Sequence, residues 1–291
     1  MKNLFESLVI CTKNYLEQNG LKSMVLGISG GIDSTVVAVI FNEINKRNPE
    51  LKLIGVSLPS NTNEDSEINT AKLVGESFCN IFQIQSIQGM FSYFIENTAD
   101  TPKQTPLANG NIKARLRMIY LYNIAGLNKG IVMSTGNLTE TYTGFWTIHG
   151  DEGDLGPIET LYKHQVYELA NWMIENLDLS DGQKGAIKES MKLTPTDGNG
   201  VMAGGDLAQI APGHTYDEVD KILETIINVR KICGKYWDQH LDEFIGIRVA
   251  KELYGENTVM SLIERVKKSE FKRKHRPLII NNDPISEFIC L

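Results

Sequence analysis

The residues best suited to chemistry lie in one short stretch, Ser29-Gly30-Gly31-Ile32-Asp33-Ser34-Thr35. An apolar run ending in Val25-Leu26-Gly27-Ile28 leads into it, and Val36, Val37, Val39, Ile40 and Phe41 follow at spacings that a helix uses. A strand, a glycine turn and a helix start together make an anion cradle. Glycine keeps side chains away from the bound group, while the first helical turn offers unpaired N–H groups and the positive end of the dipole. Ser29, Ser34 and Thr35 add hydroxyl donors. Asp33 is out of place in a bare phosphate site, because its charge repels the ligand. It fits when a divalent cation lies between them, since Mg²⁺ is commonly held by one or two carboxylates together with phosphate oxygens. The stretch reads as a site for a magnesium-bound nucleotide. It is not a Gly-Lys-Ser/Thr phosphate loop, for no lysine follows the glycines.

A second set of reactive residues lies farther along. Asn111 and Arg115 are four apart in a predicted helix, hence on one face, and an arginine there is shaped to grip a carboxylate or phosphate with two parallel hydrogen bonds. Glu140 follows a predicted strand and offers a second carboxylate beside Asp33. It sits in a long irregular segment from Thr135 to Pro157 that also holds Asn137, Thr143, Asp151, Glu152 and Asp154. Long loops inside compact domains are usually functional or disordered, and this composition favours function.

The elements that must position these groups alternate. A helix is expected over 4–18, then a strand into the glycine loop and a helix to about Arg47, ended by Asn48-Pro49. Strands follow at 51–59, 81–85 and 130–134, with helices at 64–79, 90–97 and 107–126, the last closed by Gly126. This is the pattern of an α/β, doubly wound, Rossmann-like parallel sheet, whose ligand lies beyond the carboxyl ends of the strands. After Thr160 the strand signals fade. Helices are expected at 162–176, 181–191 and 216–232, with a glycine-rich mobile loop from Asp197 to Gly213 and a basic helix or tail from Leu262 to Lys274.

Composition narrows the alternatives. The 291 residues are 42% apolar, enough for one large domain over 1–291 with additional C-terminal helices. A net charge of −7 argues against a nucleic-acid partner bound through overall positive charge, although Lys267, Lys268, Lys272, Arg273, Lys274, His275 and Arg276 form a local basic cluster. No apolar run approaches a membrane span, and the first twenty residues lack a signal-peptide core. Cys11, Cys79, Cys233 and Cys290 have no metal-ligand spacing and read as reduced thiols of a cytoplasmic protein.

The glycine loop resembles the Ser-Gly-Gly-x-Asp-Ser loop of ATP pyrophosphatases, and the rest of the chain sharpens the likeness. The Asn111 to Met118 run, Ser134-Thr135-Gly136-Asn137 with Glu140, Thr143-Gly144-Phe145, Gly150-Asp151, Pro157 with Leu161 and Lys163, Thr194-Pro195-Thr196 and Phe271-Lys272-Arg273 occur in the order and approximate spacing of NAD synthetase. The chain is similar to the ammonia-dependent form over most of 20–277. The resemblance implies a ligase that amidates nicotinate adenine dinucleotide (deamido-NAD) through an adenylated intermediate, giving NAD, AMP and pyrophosphate. It implies ATP on Gly27, Ile28, Ser29, Gly30, Gly31, Ile32, Asp33, Ser34, Thr135, Lys163 and Thr196. Mg²⁺ falls to Asp33 and Glu140, and the acid substrate to Asn111, Arg115, Asp154, Phe271 and Lys272. Asp33, Glu140, Asp151, Asp154 and Lys163 are the implied catalytic set; Asp151 and Asp154 flank Glu152 and Gly153, and such a carboxylate suits holding NH₄⁺ or accepting a proton as ammonia becomes a nucleophile.

A homodimer is implied too, with small molecules rather than nucleic acid or membrane as partners. Only about twenty residues precede the first strand, so no glutaminase domain is expected and ammonia is the expected nitrogen donor. Ser57, Ile148 and Phe271 depart from the family pattern, where Arg, Lys and His are usual. Two alternatives stay open: another ATP pyrophosphatase that amidates or thiolates a nucleotide or tRNA base, and a non-catalytic nucleotide sensor.

Overall fold

Four short apolar runs pair side by side, all parallel, in the order β3-β2-β1-β4. A computed structural model describes residues 1–98, 104–196, 207–233, 245–274 and 278–279. In chain order the elements are α1 (Lys2–Gln18), β1 (Ser23–Gly27), α2 (Ile32–Arg47), β2 (Lys52–Ser57), α3 (Asp65–Phe78), β3 (Ile81–Ile84), α4 (Gln88–Glu96), α5 (Pro106–Leu127) and β4 (Gly130–Val132). There follow α6 (Leu138–Thr143), β5 (Leu155–Gly156), α7 (Lys163–Asn176), α8 (Asp181–Lys192) and α9 (Leu207–Ile210). The chain continues through α10 (Tyr216–Cys233), α11 (Ile245–Tyr254), α12 (Glu256–Lys268), a 3₁₀ turn at Glu270–Lys274 and β6 (Leu278–Ile279).

Register follows from side-chain burial. Met24 lies opposite Leu53 and Ile131, and Val25 opposite Ile54 and Val132, so neighbouring apolar residues share a face. One face is covered by α1, α2, α3, α7 and α8 through Phe5, Val37, Phe41, Val74, Val166 and Ile187. The other is covered by α5 through Met118, Leu121 and Ile124 against Val25, Ile54 and Val56. The middle of α2, residues 36–41, is apolar and buried all round because the helix lies between the sheet and other helices. A separate cluster joins α10, α11 and α12 around Val219, Ile222, Leu262 and Ile263. Among the described residues, no helix is long and apolar enough to cross a membrane.

The sheet and helices match the expected α/β architecture, with several local differences. Gly126 does not close α5; the helix runs to Leu127 and the left-handed turn falls on Lys129, at φ 48°. The segment 135–157 is not structureless. It contains α6 and β5, and β5 extends the β4 edge through Met133 opposite Leu155. The basic C-terminal helix begins earlier, at Glu256, and its last turn carries Arg265, Lys267 and Lys268. Residues 197–206 of the expected mobile loop lie outside the described residues, as do His275 and Arg276; 207–210 is a helical turn.

Candidate active site

The order β3-β2-β1-β4 makes β1 and β4 the switch point of the sheet, where the chain leaves neighbouring strands in opposite directions. A crevice opens there in any doubly wound sheet. Here it widens into a cavity of about 770 Å³, lined by the glycine loop after β1, the segment after β4, the inner face of α5 and Lys272. That volume lies in the upper range of small-molecule sites.

The glycine loop is held rigid by its own hydroxyls. Ser29 Oγ accepts from Gly31 N (3.2 Å) and lies 3.1 Å from Ser34 Oγ, which donates to Gly31 O (3.0 Å). Thr35 Oγ1 also donates to Gly31 O (2.9 Å) and is fully buried, so this third hydroxyl braces the turn and does not face the ligand. Gly31 caps α2 without any side-chain hydrogen bond to the first N–H groups, which leaves them for an anion. Gly30 has φ +90°, and a Cβ there would lie 2.6 Å from Glu67 O. Only glycine meets both demands.

Charge is concentrated on the β4 side. Asn137 caps α6 with a reciprocal box: its Oδ1 accepts from Glu140 N (3.0 Å), and its own N donates to Glu140 Oε2 (3.2 Å). The same Asn137 donates through Nδ2 to Asp33 Oδ1 (3.0 Å). One cap thereby fixes Glu140 and ties it to the carboxylate across the crevice. Lys163, the first residue of α7, is only 1% exposed. Its ammonium hydrogen-bonds Asp33 Oδ2 and lies 3.6 Å from Glu140 Oε1. Burial by itself lowers a lysine pKa; here Asp33 and Glu140 outweigh it and hold Lys163 well above its usual value. Two carboxylates that reach the same cation form a fit pair for a shared metal. Among the described residues no group of three or more metal-ligating side chains is assembled. A metal here therefore needs phosphate or water to complete its shell, as Mg²⁺ does.

Across the cavity, α5 and the segment after α6 form a second half-site. Arg115 is exposed, with Nε 3.3 Å from Ile148 O, and Asn111 Oδ1 accepts from Thr147 Oγ1 (2.8 Å). Asp151 Oδ2 accepts from Thr147 N (2.6 Å). Asp151 lines the cavity and is exposed to solvent there. Surrounding protein raises its carboxyl pKa, opposed by the Thr147 N–H, Arg117 and Lys272. Lys272 Nζ donates to Gly144 O (2.8 Å) and Trp146 O and lies 5.4 Å from the Trp146 ring centre. Burial lowers its pKa, with Asp151 pulling the other way.

The cavity brings together Gly27, Ile28, Ser29, Gly31, Ile32, Asp33, Ser34, Thr135, Glu140 and Lys163 with Asn111, Arg115, Asp151, Thr196, Phe271 and Lys272. Asp154 is turned away from them: Tyr122 OH donates to its Oδ1 (2.7 Å) and Val132 N to its Oδ2 (3.3 Å). Thr196 Oγ1 donates to Glu67 Oε1 (2.6 Å), tethering the segment after α8 to the start of α3. Phe271 is 60% exposed at the cavity rim. Sequence reasoning left Arg117 without a role; it donates from Nε to Leu58 O (2.9 Å) and from Nη2 to Asn63 (3.3 Å), fixing the loop after β2.

A sequence model of the NAD synthase family matches residues 4–276. An NH₃-dependent NAD⁺ synthetase from Wolinella succinogenes is 30% identical over 276 residues, 94% of each chain. A glutamine-dependent NAD⁺ synthetase from Thermotoga maritima is 27% identical over 94% of this chain, which spans 44% of that relative's length. Among solved structures, an NMN synthetase from Francisella tularensis superposes with a TM-score of 0.71 at 26% identity, covering 94% of this chain and 95% of that one.

Proposed function

The chain belongs to the NAD synthase family, and from that premise we propose that it amidates deamido-NAD with ammonia, consuming ATP and releasing AMP and pyrophosphate. One observation carries the proposal. A glycine cradle, a lysine-bridged pair of carboxylates and an arginine-bearing helix line the same cavity. That arrangement suits activation of a carboxylate on the α-phosphate of ATP.

The chemistry follows from the positions. A carboxylate oxygen of the acid attacks the α-phosphorus, the bond to the β-phosphate bridging oxygen breaks, and pyrophosphate leaves. Ammonia then attacks the acyl carbon, and AMP departs with the oxygen that formed the new P–O bond. The glycine loop and the start of α2 hold the phosphates, with Lys163 as a fixed positive charge against the negative charge that develops on the leaving group. Mg²⁺, held by Asp33 and Glu140 when bound, would neutralise phosphate charge and orient the triphosphate. Arg115, Asn111 and Lys272, which line the same half of the cavity, seat the acid. Asp151, whose carboxyl pKa is raised by its surroundings, accepts a proton as ammonia adds. Asp154 acts less directly, fixing the segment that carries Asp151.

We also propose a cytoplasmic homodimer. Ile119 (64% exposed) and Tyr122 (43%) stand four and seven residues beyond Arg115 on the same face of α5, and Leu127 (76%) and Tyr93 (70%) extend the apolar area. Large exposed apolar side chains on neighbouring helices suit an interface between copies. Ammonia is the proposed nitrogen source because the Wolinella relative that the chain matches over 94% of both lengths is an NH₃-dependent synthetase.

A second substrate reading, the mononucleotide acid, has one observation in its favour, the superposition on an NMN synthetase. The experiment supplies ATP and Mg²⁺ with either acid and with either ammonium or glutamine. Equimolar NAD and AMP from deamido-NAD and ammonium support the proposal. Amide formed faster from the mononucleotide supports the second reading, and ATP turnover without either amide contradicts both.

A further inference from the structure

Asp220, near the start of α10, belongs to none of the motifs above, yet its carboxylate is fully buried and bonded on both oxygens. Oδ1 accepts from Thr139 Oγ1. Oδ2 accepts from the main-chain N of His164 (2.9 Å) and lies 3.0 Å from His164 Nδ1. With Asp220 ionised, that ring nitrogen carries the proton. Burial raises the Asp220 carboxyl pKa, and the bonds from Thr139 and His164 oppose the rise.

The partners of this carboxylate are neighbours of the charged cluster in the cavity. Thr139 precedes Glu140, and its hydroxyl, while donating to Asp220, accepts from the main-chain N of Lys163 (2.9 Å). His164 follows Lys163 and completes the start of α7. A lysine at the first position of a helix stands against the dipole; a buried carboxylate receiving the next N–H supplies the missing negative charge. We infer that Asp220 is a positioning residue for the reaction, setting the separation of Glu140 and Lys163 through Thr139 and His164. One buried acid on the C-terminal helices thereby fixes both elements that meet Asp33. The inference rests on the amidation reading for the reaction it serves, but its geometry also governs binding of ATP.

The experiment compares Thr139→Val, Thr139→Ser, Asp220→Asn and the Thr139→Val/Asp220→Asn pair, each first checked for folding by thermal melt and circular dichroism. Thr139→Ser keeps the hydroxyl and Thr139→Val deletes it. The expected result is a kcat about thirtyfold lower in Thr139→Val and Asp220→Asn, with KM for the acid held within about twofold, because Arg115 and Asn111 lie on α5. Thr139→Ser restores wild-type kcat to within about threefold. The pair loses no more than the worse single variant, since both act through one chain of bonds. Calorimetric titration with a non-hydrolysable ATP analogue and Mg²⁺ is expected to show weaker binding by Thr139→Val and not by Thr139→Ser, and this readout needs no NAD formation. Folded Thr139→Val with wild-type kcat and analogue affinity overturns the inference, as does a Thr139→Ser as impaired as Thr139→Val. Failure of the wild-type enzyme to form NAD would instead count against the amidation reading.

Discussion

Replacing Glu140 with Gln isolates the charge of the second carboxylate from its structural duty. Gln keeps the side-chain oxygen that accepts from Asn137 N, so the α6 cap survives, and the stability change is expected to stay within about 1 kcal/mol. The electrostatic loss is larger. Glu140 Oε1 lies 3.6 Å from Lys163 Nζ; at an effective dielectric near 20 that separation corresponds to about 5 kcal/mol of gross attraction, before desolvation is charged against it. Asp33 remains as the nearer partner of the ammonium, so Lys163 stays in place. On the proposed assignment, magnesium would lose one of its two protein carboxylates, and the leaving pyrophosphate would lose part of the field that stabilises it. A loss of about 10²–10³ in kcat follows, the size seen when one preorganised electrostatic partner is removed. The half-saturating Mg²⁺ concentration is expected to rise more than about tenfold, roughly 1.4 kcal/mol. The assay follows NAD and AMP by chromatography under saturating ammonium while Mg²⁺ is titrated, with a melt run in parallel. An enzyme that melts like wild type, keeps kcat within about threefold and needs no more magnesium would reduce Glu140 to a helix cap and refute the reasoning.

Other perturbations test separate parts of the site. Gly30→Ala places a Cβ 2.6 Å from Glu67 O at φ +90° and is expected to cost about 1–3 kcal/mol in stability and to weaken ATP binding; an unchanged melt with normal KM for ATP would contradict the turn geometry. Lys272, its pKa lowered by burial, holds its charge at low pH and loses it, as pH rises, earlier than an ordinary lysine does. KM for the acid is therefore expected to rise toward alkaline pH, and Lys272→Met to abolish that dependence in a pH series of initial rates. On the proposed homodimer, wild type sediments as a dimer, and Ile119→Asp on the exposed face of α5 is expected to sediment as a monomer and to raise KM for the acid; a variant sedimenting like wild type would remove that face as the interface.

Legibility in the sequence followed the range of the interactions. The glycine cradle could be read directly, because its residue types and its place between an apolar run and a helical pattern demand one conformation. The alternation of strands and helices was equally open to inspection. Glu140 was visible as a loop acid, but its pairing with Asp33 depends on a sheet order that places β1 beside β4. The α6 helix is too short to show a period; its one local signal was Asn137 three residues before Glu140, the spacing of a capping box. No local pattern marks Lys163 as buried, and only the fold shows it between two carboxylates. Asp220 and Thr139 carry no short-range signature, since their bond spans 81 residues. Asp154 keeps its carboxylate on Tyr122 and Val132, a contact across the sheet edge that spacing cannot express.

The central claim is that this cavity makes a carboxylate reactive by joining it to AMP. The most direct measurement uses deamido-NAD labelled with ¹⁸O in its carboxylate, turned over with ATP, Mg²⁺ and ammonium, with the AMP analysed by mass spectrometry. Attack of the carboxylate on the α-phosphorus followed by displacement with ammonia carries one labelled oxygen into the AMP phosphate. AMP that emerges with no label, while NAD accumulates at the normal rate, would contradict the account.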